Sequence, residues 1–154
     1  MASWSVPLDK YADKQKMKIK KVRRAYAFAL YASIVKNTPE DTGRARGNWN
    51  VSVGSEDSTT SDRKTPKYKS REQMPDSDGD ESIFISNNLP YIGTLEYGGY
   101  PNPPKKGTWN KKTKSYEIRS ANGFSKKAPN GMVGVTLANN DAIFKAAVRS
   151  CDND

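Results

Sequence analysis

Residues 8–37 read LDKYADKQKMKIKKVRRAYAFALYASIVKN, a stretch with neither Gly nor Pro. Tyr11, Ile19, Val22, Tyr26, Ala29, Leu30 and Ile34 recur in it at helical spacing, which predicts one long amphipathic helix from Leu8 to about Asn37. Pro7 fits at or just before its first turn, where a missing N–H costs nothing. The two halves differ in chemistry. The first carries Lys10, Lys14, Lys16, Lys18, Lys20, Lys21, Arg23 and Arg24 against only Asp9 and Asp13, while Ala25 to Val35 is almost wholly apolar. A wet basic half and a packed second half follow. Thr38-Pro39 ends the helix, because Pro disfavours a helical residue before it and cannot donate to the preceding turn.

Working outward, Asp41-Thr42-Gly43-Arg44 reads as a turn. Trp49, Val51 and Val53, alternating with Asn48, Asn50 and Ser52, read as a half-buried strand. Residues 54–81 hold little apolar besides Tyr68 and Met74, so the expectation there is a long polar loop or disordered insertion that adds little core. Ser82–Ser86 predicts a short strand and Asn87–Pro90 a turn. Tyr91–Tyr97 predicts a short helix ended by Gly98-Gly99. A second polar loop, 98–127, carries a candidate strand pair at Thr108-Trp109 and Tyr116–Ile118. Val133, Val135 and Leu137 alternate as a last strand. Asn139 or Asn140 then caps a closing helix with Ile143, Phe144, Ala147 and Val148 on one face. The sum is an α+β fold in one domain over residues 1–154: a long N-terminal helix packed on a small, mostly antiparallel sheet, with long polar loops and a C-terminal helix.

Composition bounds the chemistry. With 34% apolar and 28% charged residues, one modest core is expected. An excess of 26 Lys+Arg over 17 Asp+Glu, a net charge of +9, favours an acidic protein surface, nucleic acid or anionic lipid. Cys151 is the single cysteine, which provides neither a disulfide framework nor a metal cluster and suits a reducing cytosol; its thiol is expected in a flexible tail. Residues 1–7 lack the basic start and apolar stretch of a signal peptide, and no apolar run is long enough to span a bilayer, so no membrane association is expected. Histidine is absent, which removes the commonest general base and imidazole ligand.

No constellation of catalytic residues emerges, and neither enzyme activity nor a cofactor is expected. Asp76-Ser77-Asp78-Gly79-Asp80-Glu81 has the alternate carboxylates of a calcium loop, but Glu81 and Asn87 stand where an EF-hand needs Gly and a bidentate Glu. The basic helix with Tyr11 and Tyr26, and the Lys105–Lys127 loop with Trp109, Tyr116 and Phe124, form a candidate stacking platform for nucleic acid. A solvated basic face and a docking surface for an acidic protein ring are the alternatives. Glu96 is expected to pair with Arg44 or Arg46, beside Trp49 and Tyr97, within a subunit or across a boundary; two exposed charges are the alternative.

Three segments resemble one known family. Thr38-Pro39-Glu40-Asp41-Thr42-Gly43, continuing through Arg44, Arg46 and Asn48 to Trp49, resembles a T-P-x-D-T-G-x-x-x-x-x-W signature. Asn88 to Gly98, containing Pro90-Tyr91 and Glu96-Tyr97-Gly98, resembles an N-x-x-P/V-Y-A-x-x-x-E-Y-G segment. Ala128-Pro129-Asn130-Gly131-Met132-Val133 resembles the opening of a last strand. The family is that of the tail-completion, or head-tail joining, proteins of long-tailed phages, the lambda minor tail protein Z group. Gly93 stands where that family often has Ala, and residues 54–81 lie outside its pattern. The resemblance implies a structural virion protein of the phage neck, assembled in the host cytoplasm. It would form a homo-oligomeric ring, sixfold, between the head-side stopper or connector and the tail terminator or tail tube. Candidate interface residues are Arg44, Arg46, Trp49, Tyr91, Glu96, Tyr97, Tyr100 and Trp109. A lysine-lined lumen would hinder a passing genome, so most of the basic surface is expected to face acidic neighbours, with at most passing contact to DNA. The alternative function is a basic nucleic-acid-binding accessory protein.

Overall fold

A computed structural model describes residues 7–153; the expectation about a signal peptide in residues 1–6 lies outside them. Helix α1 runs Leu8–Asn37, with Pro7 at its N-cap accepting from Tyr11 N at 3.2 Å. It stops at Thr38, whose hydroxyl turns back to the Ile34 carbonyl at 2.7 Å. The short helix α2, Arg44–Gly47, leads into strand β1, Asn50–Val53, which pairs antiparallel with β2, Ile83–Ser86, placing Val51 opposite Ile85 and Val53 opposite Ile83. Helix α3 spans Ile92–Tyr97. Two further antiparallel ribbons follow, β3 (Thr108–Asn110) with β4 (Ser115–Glu117), and β5 (Ser120–Ala121) with β6 (Phe124–Ser125). Helices α4, Val133–Ala138, and α5, Asn140–Asp152, close the chain. The architecture is α+β, and its strands are divided among three two-stranded ribbons.

One core gathers Tyr31, Ile34 and Val35 of α1 with Trp49, Val51, Leu89, Leu95 and Met132. The expectation that residues 54–81 add little to it is corrected: Tyr68 and Met74 are both buried there. The Tyr68 ring meets Tyr31 edge-on at 5.3 Å and its hydroxyl donates to Val51 O at 3.1 Å. Burial pushes the Tyr31 phenol above its ordinary value, although its oxygen accepts from the Lys67 and Tyr68 amides. A segment can be polar on average and still supply two core anchors, because burial is decided residue by residue.

The predicted last strand at Val133–Leu137 is also corrected; these residues are helical. Alternating Val and Leu suit a strand, but the amides at the start of α4 are captured by a carboxylate described below, and a satisfied first turn outweighs a weak β preference. Neither Asn139 nor Asn140 provides the expected side-chain cap for α5; the Asn139 amide donates back to Val135 O at 3.4 Å. The basic half of α1 is exposed throughout as far as Ile19, and beyond it Lys21 is still exposed while Lys20, Arg23 and Arg24 are half-buried. Arg23 donates to the carbonyls of Gly79 and Glu81, and Arg24 to those of Glu72 and Met74, so these cations hold the far end of the insertion. Lys20 pairs with Asp78 at 3.1 Å. The calcium-like acidic stretch is therefore fastened to α1 through cations and backbone.

Candidate assembly interface

The segment from Thr38 to Trp49 is built inward. Trp49 is 4% exposed and its indole donates to the Thr38 hydroxyl at 2.9 Å, so the helix-ending Thr and the strand-opening Trp share one buried hydrogen bond. Arg46 donates through Nε to Thr38 O at 2.8 Å and pairs with Glu40. Asn48, also buried, donates to Arg44 O and Ser61 O at 2.8 and 2.9 Å while accepting from Ser61 N at 2.8 Å. Gly43, at φ +86°, and Gly47 admit the insertion's backbone: a Cβ on either would lie about 2 Å from the carbonyl oxygen of Lys64 or Arg63. The turn is a socket for residues 61–64.

The residue that precedes the second segment, Asn87, donates its amide to Ala45 O of the first at 2.9 Å, while Asn88 holds Asp57 O of the insertion at 2.7 Å. Leu89 and Leu95 point into the core. Glu96 does not pair with an arginine. Its Oε2 accepts from Met132 N at 2.7 Å and Val133 N at 2.9 Å, and its Oε1 from Gly134 N at 2.9 Å. The carboxylate thus occupies the amide-rich start of α4, where an acceptor with negative charge is most favoured. Arg44 instead reaches exposed Asp62 at 3.6 Å, a contact worth little in water. The three segments that carry the phage resemblance, far apart in sequence, are thereby bonded into one unit, which Thr136 of α4 ties to Ser33 of α1 at 3.0 Å.

What this unit leaves outside is aromatic. Tyr97, 83% exposed, and Tyr91 lie on the outer side of α3, whose Leu95 and Glu96 are used inward. Tyr100 is half-buried; burial first, and neighbouring Tyr91 second, raise its phenol above the ordinary value. Trp109 opposes Tyr116 across the β3–β4 ribbon, the rings edge-to-face at 5.1 Å and both exposed. Of the predicted interface residues, Tyr91, Tyr97 and Trp109 thus remain at the surface, while Tyr100 is half-buried against the core. Arg44 is exposed but weakly held, Arg46 is partly engaged, Trp49 is internal, and Glu96 is half-buried with its carboxylate spent on α4. Tyr116 belongs with Trp109; two-residue periodicity across a short turn is the signal that pairs them.

An open polar depression of about 580 Å3 lies among Lys36, Glu40, Asp41, Arg46 and Lys127. Within it Arg46 pairs with Glu40, Lys127 donates to the backbone carbonyl of Glu40 at 3.0 Å, and Asp41 pairs with Arg119 beyond its rim at 2.8 Å. Among the described residues no His, Cys, Asp or Glu cluster is arranged to hold a metal, and no helix is long and apolar enough to cross a membrane. The chain matches no protein-family model, no curated protein and no solved structure.

Proposed function

We propose that this chain is a structural joining subunit of a tailed-phage neck, assembling as a ring between the head-side stopper and the tail terminator. The observation that carries this reading is the gathering of the three resembling segments into one scaffold, by the core that Trp49, Leu89, Leu95 and Met132 share, by Asn87–Ala45 at the edge of the second segment, and by Glu96–α4. That scaffold uses its polar residues to hold backbone and turns Tyr91 and Tyr97 outward, as a subunit surface completed by neighbours would. Exposed aromatics with polar surroundings are the usual anchors of such contacts.

The test is reconstitution. Purified protein is added to isolated tails that lack it, at moderate salt and without nucleic acid. Incorporation of a fixed number of copies at the head-proximal end, with head joining restored, supports the reading; absence of any tail association overturns it. A second reading, a nucleic-acid-binding accessory protein, is favoured by the exposed Trp109–Tyr116 pair on a ribbon bordered by Lys105, Lys106, Lys111, Lys112 and Lys114. Salt-sensitive binding to single strands of unrelated sequence, lost in Trp109→Ala/Tyr116→Ala, together with no tail association, would select it.

A further inference from the structure

The face of α1 that α5 covers continues past the end of α5. Leu8, Tyr11, Ile19, Val22, Tyr26 and Ser33 follow one another at intervals of three, four, seven and eight residues, which puts them in one row along the helix. The row is occupied at its C-terminal end: Ser33 meets Thr136 of α4, and Tyr26 stacks edge-on against Phe144 of α5 at 5.3 Å and donates to Asn140. The cover ends at the ion pair between Lys18 and Asp152, 3.0 Å apart. Past that point Leu8 is 85% exposed and Tyr11 57%, with Ile19, at the boundary, also 57%. At about 1.5 Å per residue, the uncovered overhang from Leu8 to Ile19 is on the order of 17 Å, or three turns. Lys10, Lys14, Lys16, Lys18, Lys20 and Lys21 surround it against Asp9 and Asp13.

We propose that the Leu8–Ile19 overhang is a docking arm for an acidic amphipathic α-helix of a neighbouring protein, laid along α1 as a continuation of α5. Continuity selects a helix as the occupant, since the same row already packs helices α4 and α5. Charge selects its chemistry. A second copy of this arm would set lysines against lysines, whereas an acidic helix answers both the apolar row and its cationic border. Nucleic acid would use the lysines but leave Leu8 and Ile19 without a role. The inference rests on the joining reading for the existence of a neighbour, and it names the surface and chemistry of that contact.

The probe is a fluorescent synthetic peptide of about four helical turns, with Leu at one-face spacing and Glu elsewhere, titrated into the full chain at moderate salt. A scrambled peptide of the same composition and a DNA duplex are the comparisons. The patterned peptide is expected to bind about tenfold or more tighter than the scrambled one, and Tyr11→Ala/Ile19→Ala to lose about tenfold. The helical signal and thermal unfolding should be unchanged, because both side chains are mostly exposed in the free chain. Equal binding of the two peptides overturns the proposal. So does equal binding by the double variant, self-association abolished by it, or a preference for DNA that depends on Tyr11. In reconstituted tails, a double variant that joins as well as the wild type removes the arm and leaves the joining reading intact. A wild-type chain that fails to join removes the reading, whatever the peptide shows.

Discussion

Glu96→Gln separates the observed role of this carboxylate from the expected ion pair with Arg44 or Arg46. In the native protein three amides, those of Met132, Val133 and Gly134, donate to its two oxygens, and Met132 is 0% exposed. A glutamine keeps one acceptor. If its oxygen stays with Met132 and Val133, its NH2 group faces the Gly134 amide, donor against donor. Two hydrogen bonds fall from the charge-assisted range of about 1.5–3 kcal/mol to about 1 kcal/mol each, and one is lost. The interaction of an anion with the helix start, about 0.3–1 kcal/mol, goes as well. Allowing for relaxation, the expected loss is about 2–4 kcal/mol, equivalent to roughly 5–15 °C in Tm for a chain of this size. Urea and thermal unfolding followed by the fluorescence of buried Trp49 would measure it. Arg44→Ala is the internal control, expected to cost under about 0.5 kcal/mol because its contact with Asp62 is exposed. A Glu96→Gln variant within about 1 °C of wild type, or an Arg44→Ala variant equally destabilised, would refute the reasoning.

Gly47→Ala should destabilise by about 1–3 kcal/mol and expose residues 54–66 to limited proteolysis first, since its Cβ would sit 2.1 Å from the Arg63 carbonyl oxygen; a cleavage pattern unchanged from wild type would contradict the socket. In an NMR titration Tyr31 and Tyr100 should ionise above the ordinary 10.0, because burial raises both. Their raised values mean that the associated stability is whole below pH 10 and is lost as pH rises through them; ionisation of either at or below 10.0 would disprove it. Glu117 is held below the ordinary carboxylate value first by the Asn110 amide and then by the Thr113 hydroxyl. Its contribution to ribbon order is present at neutral pH and disappears as pH falls through the lowered value, so Asn110→Ala should return its NMR titration towards 4.5.

The long helix was legible because a stretch without Gly or Pro, closed by Thr38-Pro39, admits few other conformations. Strands β1 and β2 and the aromatic ribbon followed from local alternation and turn residues in the same way. What sequence could not reveal was long-range. Glu96 chooses three backbone amides 36 to 38 residues ahead of it over the arginines at 44 and 46 behind it, a choice set by the fold that carries it there. The same capture turns Val133–Leu137 from the expected strand into a helix, so one missed contact produced both errors. Tyr68 and Met74 were judged by the polarity around them, yet two anchors suffice to lay an otherwise polar segment over the core. The outer aromatics were legible as residue types; that Tyr97 would face out while Trp49 faces in needed the positions of α3 and Thr38.

The insertion is gripped chiefly by its main chain. Asn88 and Asn48 hold the carbonyls of Asp57 and Ser61, and Gly43 and Gly47 receive those of Lys64 and Arg63. Arg23 and Arg24 hold those of Gly79, Glu81, Glu72 and Met74. A peptide carbonyl is the same at every residue, so a loop fixed in this way keeps its course when its side chains are exchanged. Apart from buried Tyr68, Met74 and Ser77, Asp78 on Lys20, Arg71 on α5, and Gly54 and Gly79 at positive φ, residues 54–81 therefore make up a surface whose charge and chemistry can be rewritten independently of its shape, a natural place for such a chain to retune what it meets without refolding.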